Sequence, residues 1–272
     1  MEIPIISLTR TEDDPIISIP YSRYIIGQLP WYGVLICTGV ITALALCMHE
    51  EKRRALQEDT IIDLAFWAIP LALVGARVYY AVFNWQAFAD DPLAILRIWE
   101  GGIAIYGAII GGLIGVLIFS KRRNMNPFTL TDIVVPGLSL AQGIGRWGNY
   151  FNMEAYGREI TNPAWQFFPI GVQIPSSSGY TWHMATFFYE SCWDIAVFLV
   201  LWFVIRKRAG KPGTTTLWYL LLYGIGRFFI EGLRTDSLMS GSVRVSQLLS
   251  LVLVIAAGTL LIFRAVRHKK TT

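Results

Sequence analysis

Two short pairings interrupt otherwise apolar sequence. Arg227 and Glu231 are four residues apart and Arg146 and Asn149 three apart, so each pair shares one face of a helix. A guanidinium holds phosphate oxygens through paired N–H donors, so arginines gathered at one place make a clamp for a phosphate. Tyr106, His183 and Glu190 add groups suited to proton transfer or hydrogen bonding. A tyrosine beside arginines assists proton transfer or, more modestly, donates a hydrogen bond. His183 reads as a base or as a structural loop histidine, and Glu190 as a partner for an arginine. The histidines, at 49, 183 and 268, are scattered, so no metal site is expected.

A membrane must position these residues. The chain has 272 residues, 54% hydrophobic and 15% charged, with a mean hydropathy of +0.48. A soluble domain is about 25% charged. The net charge of +4 would raise nucleic acid as a partner. The basic residues instead sit in short runs between apolar segments, the pattern of membrane orientation. Cys37, Cys47 and Cys192 lie within or at the edge of apolar segments without C-x-x-C spacing and read as buried inert thiols. Residues 1–30 lack the basic start and long apolar core of a cleavable signal, and read as a structured arm on the membrane surface.

A span needs roughly 20 apolar residues to cross a ~30 Å hydrocarbon core. Seven stretches fit: Trp31–Met48, Ile61–Phe83, Ile103–Ser120, Ile133–Trp147, Phe187–Ile205, Thr215–Ile230 and Ser246–Phe263, the fourth being short and holding Pro136. The expected fold is an all-α integral membrane protein, a bundle of seven transmembrane helices in one domain, 1–272. The runs "EEKRR", "KRRN", "RKRAGK" and "RAVRHKK" follow spans one, three, five and seven and hold 14 of the 23 Lys and Arg residues. Positive charge stays inside, so the N-terminus is expected outside and the C-terminus in the cytoplasm. The largest outer loop, about 150–187, holds Pro, Ser and Gly turn signals and reads as a small folded cap.

This orientation brings the polar residues to one depth, the outer side. Tyr32 opens span one there, and Arg77 lies in the outer half of span two. Glu100, Tyr106 and a glycine run fall in the outer half of span three. Arg146 with Asn149, and Arg227 with Glu231, end spans four and six. An ionisable residue in a span costs roughly 3 kcal/mol, and simple interfacial anchors do not need Asn, Glu and Gly beside them. The run "GAIIGG" reads as close helix packing that in part opens room for a lipid.

The stretch "GIGRWGNYFNMEAYGRE" resembles the signature G-R-x-G-N-[FY]-x-N-x-E-x-[FYW]-G of prolipoprotein diacylglyceryl transferases. The match runs through Gly145, Arg146, Gly148, Asn149, Tyr150, Asn152, Glu154, Tyr156 and Gly157. "WYG" at 31–33, "EGGIAIYGAIIGG" at 100–112 and "YGIGRFFIEGLRTD" at 223–236 are similar to the family in the same order. The resemblance implies a bacterial cytoplasmic membrane enzyme with its active site on the extracytoplasmic side. It would take diacylglycerol from phosphatidylglycerol to the lipobox cysteine of a prolipoprotein, forming a thioether and releasing glycerol phosphate. It implies a headgroup contact for Arg146, places Arg227 and Glu231 at the catalytic centre, and lines that centre with Tyr32, Asn149, Glu154 and Gly157. Arg77 joins as a substrate contact and Tyr106 as a catalytic candidate; His183, Arg234 and Asn152 are weaker candidates. No cofactor or metal is implied. Two stretches depart from the family. Tyr106 stands where many members carry His before G-G, and "HMATFFYE" keeps only His183, Tyr189 and Glu190 of H-P-x-Q-L-Y-E. The rival reading is a phospholipid transporter or scramblase, which seven spans and intramembrane arginines permit. Inverted repeats and a midplane site would mark a transporter, and the sequence displays neither.

Overall fold

The computed structural model describes residues 22–176, 179–208, 210–237, 239–241 and 243–269. Residues 1–21 of the expected surface arm therefore lie outside the described residues. Seven long helices follow one another: α1 (Trp31–Arg53), α2 (Thr60–Phe83), α3 (Ile105–Arg122), α4 (Pro127–Phe151), α5 (Thr186–Arg208, π-helical over Val200–Ile205), α6 (Thr214–Leu233) and α7 (Val245–Lys269). Five of them, α1, α2, α3, α5 and α7, are long and apolar enough to cross a membrane. The other two, α4 and α6, are the helices that carry Arg146 and Arg227. Their polar side chains lower the apolarity by which a span is recognised.

The fold is mostly helical, and the all-α expectation needs one amendment. Two small antiparallel hairpins join the helices: β1 (Gly171–Ser176) with β2 (Gly179–Met184), and β3 (Met239–Ser240) with β4 (Val243–Arg244). The first lies in the expected cap region, in register from Gly171 opposite Met184 to Ser176 opposite Gly179. α4 runs through Pro136 and extends beyond the predicted stretch at both ends. It begins at Pro127 with the Asn126 side chain accepting from the Phe128 N–H at 2.9 Å, a local cap.

The chain forms two compact units. One comprises residues 44–135 and 210–216. Its hydrophobic core is Cys47, Ile61, Leu64, Phe119, Leu130 and Ile133. Within it α2 and α3 meet backbone to backbone along glycines. A Cβ on Gly115 would lie 2.7 Å from Ala68 Cα, and one on Gly75 3.1 Å from Gly111 Cα. The "GAIIGG" run thus serves close packing. Charged caps tie the helix starts down. Both Glu51 oxygens accept from Thr60 and Ile61 N–H at 3.2 Å, and Asp132 accepts from Gly213 and Thr216 N–H at 2.7 Å.

The other unit comprises residues 1–43, 136–209 and 217–272. Small residues let its helices close up. Gly39 faces the Ala141 carbonyl, with 3.1 Å left for a Cβ, and Gly137 faces that of Ala43 at 3.0 Å. Ser191 donates to the Gly143 carbonyl at 2.7 Å and Ser139 to that of Asp194 at 2.8 Å, joining α4 to α5. The Trp193 indole lies over Gly226 and donates to Leu222 at 2.9 Å, joining α5 to α6. Gln247 donates to Phe228 at 3.0 Å, joining α6 to α7. The three thiols differ from expectation: Cys47 is buried, but Cys37 and Cys192 are exposed on apolar helices. A thiol is small and soft enough for either environment.

Candidate functional site: a buried arginine–glutamate cluster

Close packing of α4, α5 and α6 brings one charged side chain from each to a common point. Glu190 of α5 bridges two arginines. Its Oε1 lies 2.8 Å from Arg146 Nη2 and 2.9 Å from Arg227 Nη1, and its Oε2 accepts from Arg227 Nη1 at 3.0 Å. Arg227 Nη2 lies 2.6 Å from Glu231 Oε2, the helical pairing expected from the sequence. Glu190 is 2% exposed and Glu231 1%. A buried charge needs pairing of this kind, since an uncompensated one costs several kcal/mol. The carbonyl of Glu231 is held as well, accepting from Ser237 Oγ at 3.4 Å and from Arg244 Nη1.

Beyond Arg146 the chain leaves α4 through a tight turn, with Met153 at φ 52° and Ala155 at φ 58°. The Glu154 N–H bonds the Asn149 carbonyl at 3.0 Å. Its carboxylate accepts from Asn149 Nδ2 at 2.9 Å and Asn152 Nδ2 at 3.3 Å. Signature residues Asn149, Asn152 and Glu154 thus brace one another. The ring of Tyr32 lies against Gly148, where a Cβ would come within 2.6 Å of it.

Gly157 is the seam of the cap. It pairs with Arg234 in an isolated β-bridge, and its N–H bonds the Met184 carbonyl at 2.8 Å. A Cβ there would meet Met184, Leu233 and Thr186 within 2.9 Å, so only glycine lets these three strands of chain converge. The Gly157 carbonyl can only accept, so His183 Nδ1 donates to it, at 3.0 Å, and Nε2 is left to pair with the Thr181 hydroxyl at 3.0 Å. With both nitrogens engaged, His183 braces the cap. Arg234 forks onto Asp236 at 2.9 and 2.8 Å. Burial pushes the Asp236 carboxyl up, but the Arg234 bonds outweigh it and hold it below its ordinary 3.8.

Arg77 and Tyr106 belong to the unit of residues 44–135. Arg77 is buried, and its five N–H donors face five carbonyls: Ile95 at 2.8 Å, Gly101 at 2.5 Å, Gly102 at 2.8 Å, Ala94 at 2.7 Å and Arg97 at 3.2 Å. A guanidinium so committed has no donor left for a phosphate. Arg77, expected as a substrate contact, here folds the segment 84–104. Tyr106, in the first turn of α3, lies against Tyr79 with ring centroids 6.2 Å apart.

Of the remaining sequence candidates, Arg146, Arg227 and Glu231 share one cluster, and Asn149, Asn152 and Glu154 form a second in the turn after it. Glu190 is the residue the sequence reading undervalued. The sequence suggests a partner for one arginine, and it serves two; its signals are a glutamate just inside an apolar stretch and its place in the H-P-x-Q-L-Y-E match. Among the described residues no cluster of His, Cys, Asp and Glu has the make-up of a metal site.

Fold and site together define a helical membrane protein built around part-buried arginines bridged by a buried carboxylate. The model of the prolipoprotein diacylglyceryl transferase family matches residues 22–263, and the chain belongs to that family. It is 46% identical over 243 residues to the phosphatidylglycerol–prolipoprotein diacylglyceryl transferase of Limosilactobacillus reuteri, covering 88% of this chain and 87% of that one. The same-named protein of Listeria innocua is 43% identical over 246 residues, with the same coverage. That of Ligilactobacillus salivarius is 45% identical over 244 residues, 87% of this chain and 89% of that one.

Proposed function

We propose that the chain transfers the diacylglyceryl group of phosphatidylglycerol to the lipobox cysteine of prolipoproteins, a step of bacterial lipoprotein maturation. In this reading the whole chain is one catalytic domain of the cytoplasmic membrane, with seven spans, the N-terminus outside and the site on the outer side. The lipid moves in laterally from the outer leaflet, and Arg146 and Arg227 grip its phosphate. The lipobox thiol loses its proton, because thiolate is the nucleophile. Sulfur attacks the glycerol carbon that bears the phosphate ester. The S–C bond forms, the C–O bond breaks, and the electron pair leaves on the phosphate oxygen. The arginines offset that growing charge. Glu231 or Tyr106 takes or directs the thiol proton, while Tyr32, Asn149, Glu154 and Gly157 shape the surroundings.

The observation that carries this reading is that guanidiniums from two separate helices, α4 and α6, end on a single carboxylate. Two arginines aimed at one anionic group are a phosphate clamp in geometry and charge. The test is Arg146→Ala, with transfer to a lipobox peptide in phosphatidylglycerol vesicles followed by mass. Turnover should fall by roughly 10²–10³, the scale of losing one donor to a developing anion. Undiminished turnover in a folded protein removes the clamp. Tyr106→Phe isolates the hydroxyl, and a rate unchanged by it excludes Tyr106 from proton transfer.

A further inference from the structure

Among the residues described in it, the arginine cluster does not offer its cations freely. Glu190 already takes donors of Arg146 and of Arg227, and Glu231 takes the other end of Arg227. A third carboxyl stands close by. Asp194 lies one helical turn from Glu190 on α5, is 1% exposed, and has an Oδ2 with no hydrogen-bond partner among the described residues. Its charge interactions run to Glu190, Arg146 and Arg227. The two guanidiniums are thus set against three carboxyl groups. A phosphodiester arriving here meets no surplus of positive charge and must compete for donors already in use.

The donors it needs are those on Glu190. A carboxylate and a phosphodiester present the same face to an arginine fork, two anionic oxygens on one atom. Glu231 is four residues from Arg227 on the same helix and stays paired to its far nitrogen whatever binds the near one. Glu190 comes from another helix and is the only one of the three carboxyl groups that spans both arginines. Resting on the clamp reading above, we propose that Glu190 is the carboxylate the substrate phosphate displaces from Arg146 and Arg227. It is a positioning residue. It holds the two guanidiniums together, sets the affinity for the lipid phosphate, and returns to the arginines to expel the phosphate product.

The test uses the full chain in phosphatidylcholine nanodiscs, with phosphatidylglycerol as the probe, and reads lipid Kd, kcat and KM. Glu190→Gln keeps the shape and removes the competing charge. Its Kd for phosphatidylglycerol should fall about tenfold, the weight of one charge-assisted bond, while kcat falls because product leaves slowly. Damaged packing would weaken binding, so tighter binding is a readout that a merely structural role does not give. A folded Glu190→Gln protein that binds as the parent does, or more weakly, overturns the proposal. Should Glu190→Gln not fold, Glu190→Asp decides. It retains the charge but is too short to hold both arginines, so tighter binding supports displacement and unchanged binding overturns it. Arg146→Ala separates the two readings. If it binds phosphatidylglycerol with the parent's affinity, the clamp itself fails. If it loses binding while the Glu190 variants gain none, only the displacement fails.

Discussion

Arg77 is buried and Arg227 part-buried, both in apolar helices, and what their donors face sets them apart. Arg77 ends on five backbone carbonyls fixed by the fold, whereas Arg227 ends on carboxylates that another anion can replace. Arg77→Met fills the same space but leaves those carbonyls without donors, at about 1–3 kcal/mol for each that water does not reach. A loss of at least about 3 kcal/mol is expected, with faster hydrogen exchange confined to 84–104. A protein with unchanged Tm and unchanged exchange would show that the loop folds without Arg77. At Arg234 and Asp236 the prediction concerns pH. Asp236 is held below its ordinary value, so its pairing contributes stability above about pH 4 and loses it as pH falls through the lowered value. Melting temperature should therefore drop less steeply below about pH 4 in Asp236→Asn than in the parent, and identical slopes would mean that the fork carries no such linkage.

Where one helix meets another, glycine and a few polar caps decide the distance. A side chain at Gly111 would run into the backbone of Leu71, which cannot move aside as a flexible side chain can. Gly111→Val should cost about 3 kcal/mol or more by forcing α2 and α3 apart. A Tm equal to the parent's would mean that the seam is looser than its geometry. Asp132 caps the start of α6 from α4, accepting from Gly213 and Thr216 N–H. Asp132→Ala should cost about 1–2 kcal/mol, the worth of a helix cap, and an unchanged denaturation midpoint would show that water replaces it. These elements also separate what a sequence reveals from what it hides. The glycine seam was legible because its spacing is local, and the signature turn because its residues brace one another within six positions. Asn126–Pro127 is a readable helix start that the apolar-run criterion passes over, since such a run begins only where the hydrocarbon does. The bonding of Arg77 was not legible because its partners are carbonyls of a segment 17 to 25 residues away, and a carbonyl has no side-chain signature. The role of Glu190 was half legible for a similar reason: its two partners lie on helices far apart in sequence.

For the whole molecule, the distribution of basic residues bears on a point that apolarity leaves open. α1 ends in Lys52 and Arg53, α3 in Lys121 and Arg122, and α5 in Arg206, Lys207 and Arg208, whereas the last turns of α2, α4 and α6 hold no basic residue. With the run "RAVRHKK" at the end of α7, this alternation is what the positive-inside rule gives if every helix crosses, α4 and α6 included. Were α4 to lie along the surface, α5 would run the other way and leave three cations outside. The buried ion pairs supply the reason why two helices too polar to be recognised as spans can still be inserted: Arg146 and Arg227 are neutralised by carboxylates and not left bare in lipid. Sidedness is therefore expected to follow all seven. In a background without Cys37, Cys47 and Cys192, a membrane-impermeant thiol reagent on intact cells should label Asn162→Cys, in the segment between α4 and α5. It should reach Glu58→Cys, between α1 and α2, and Lys211→Cys, between α5 and α6, only after permeabilisation. Labelling of Lys211→Cys in intact cells while Glu58→Cys stays protected would mean that an odd number of the helices α2, α3, α4 and α5 fails to cross. Labelling of Glu58→Cys from outside would reverse the orientation and move the arginine cluster to the cytoplasmic side, where no translocated lipobox cysteine would meet it.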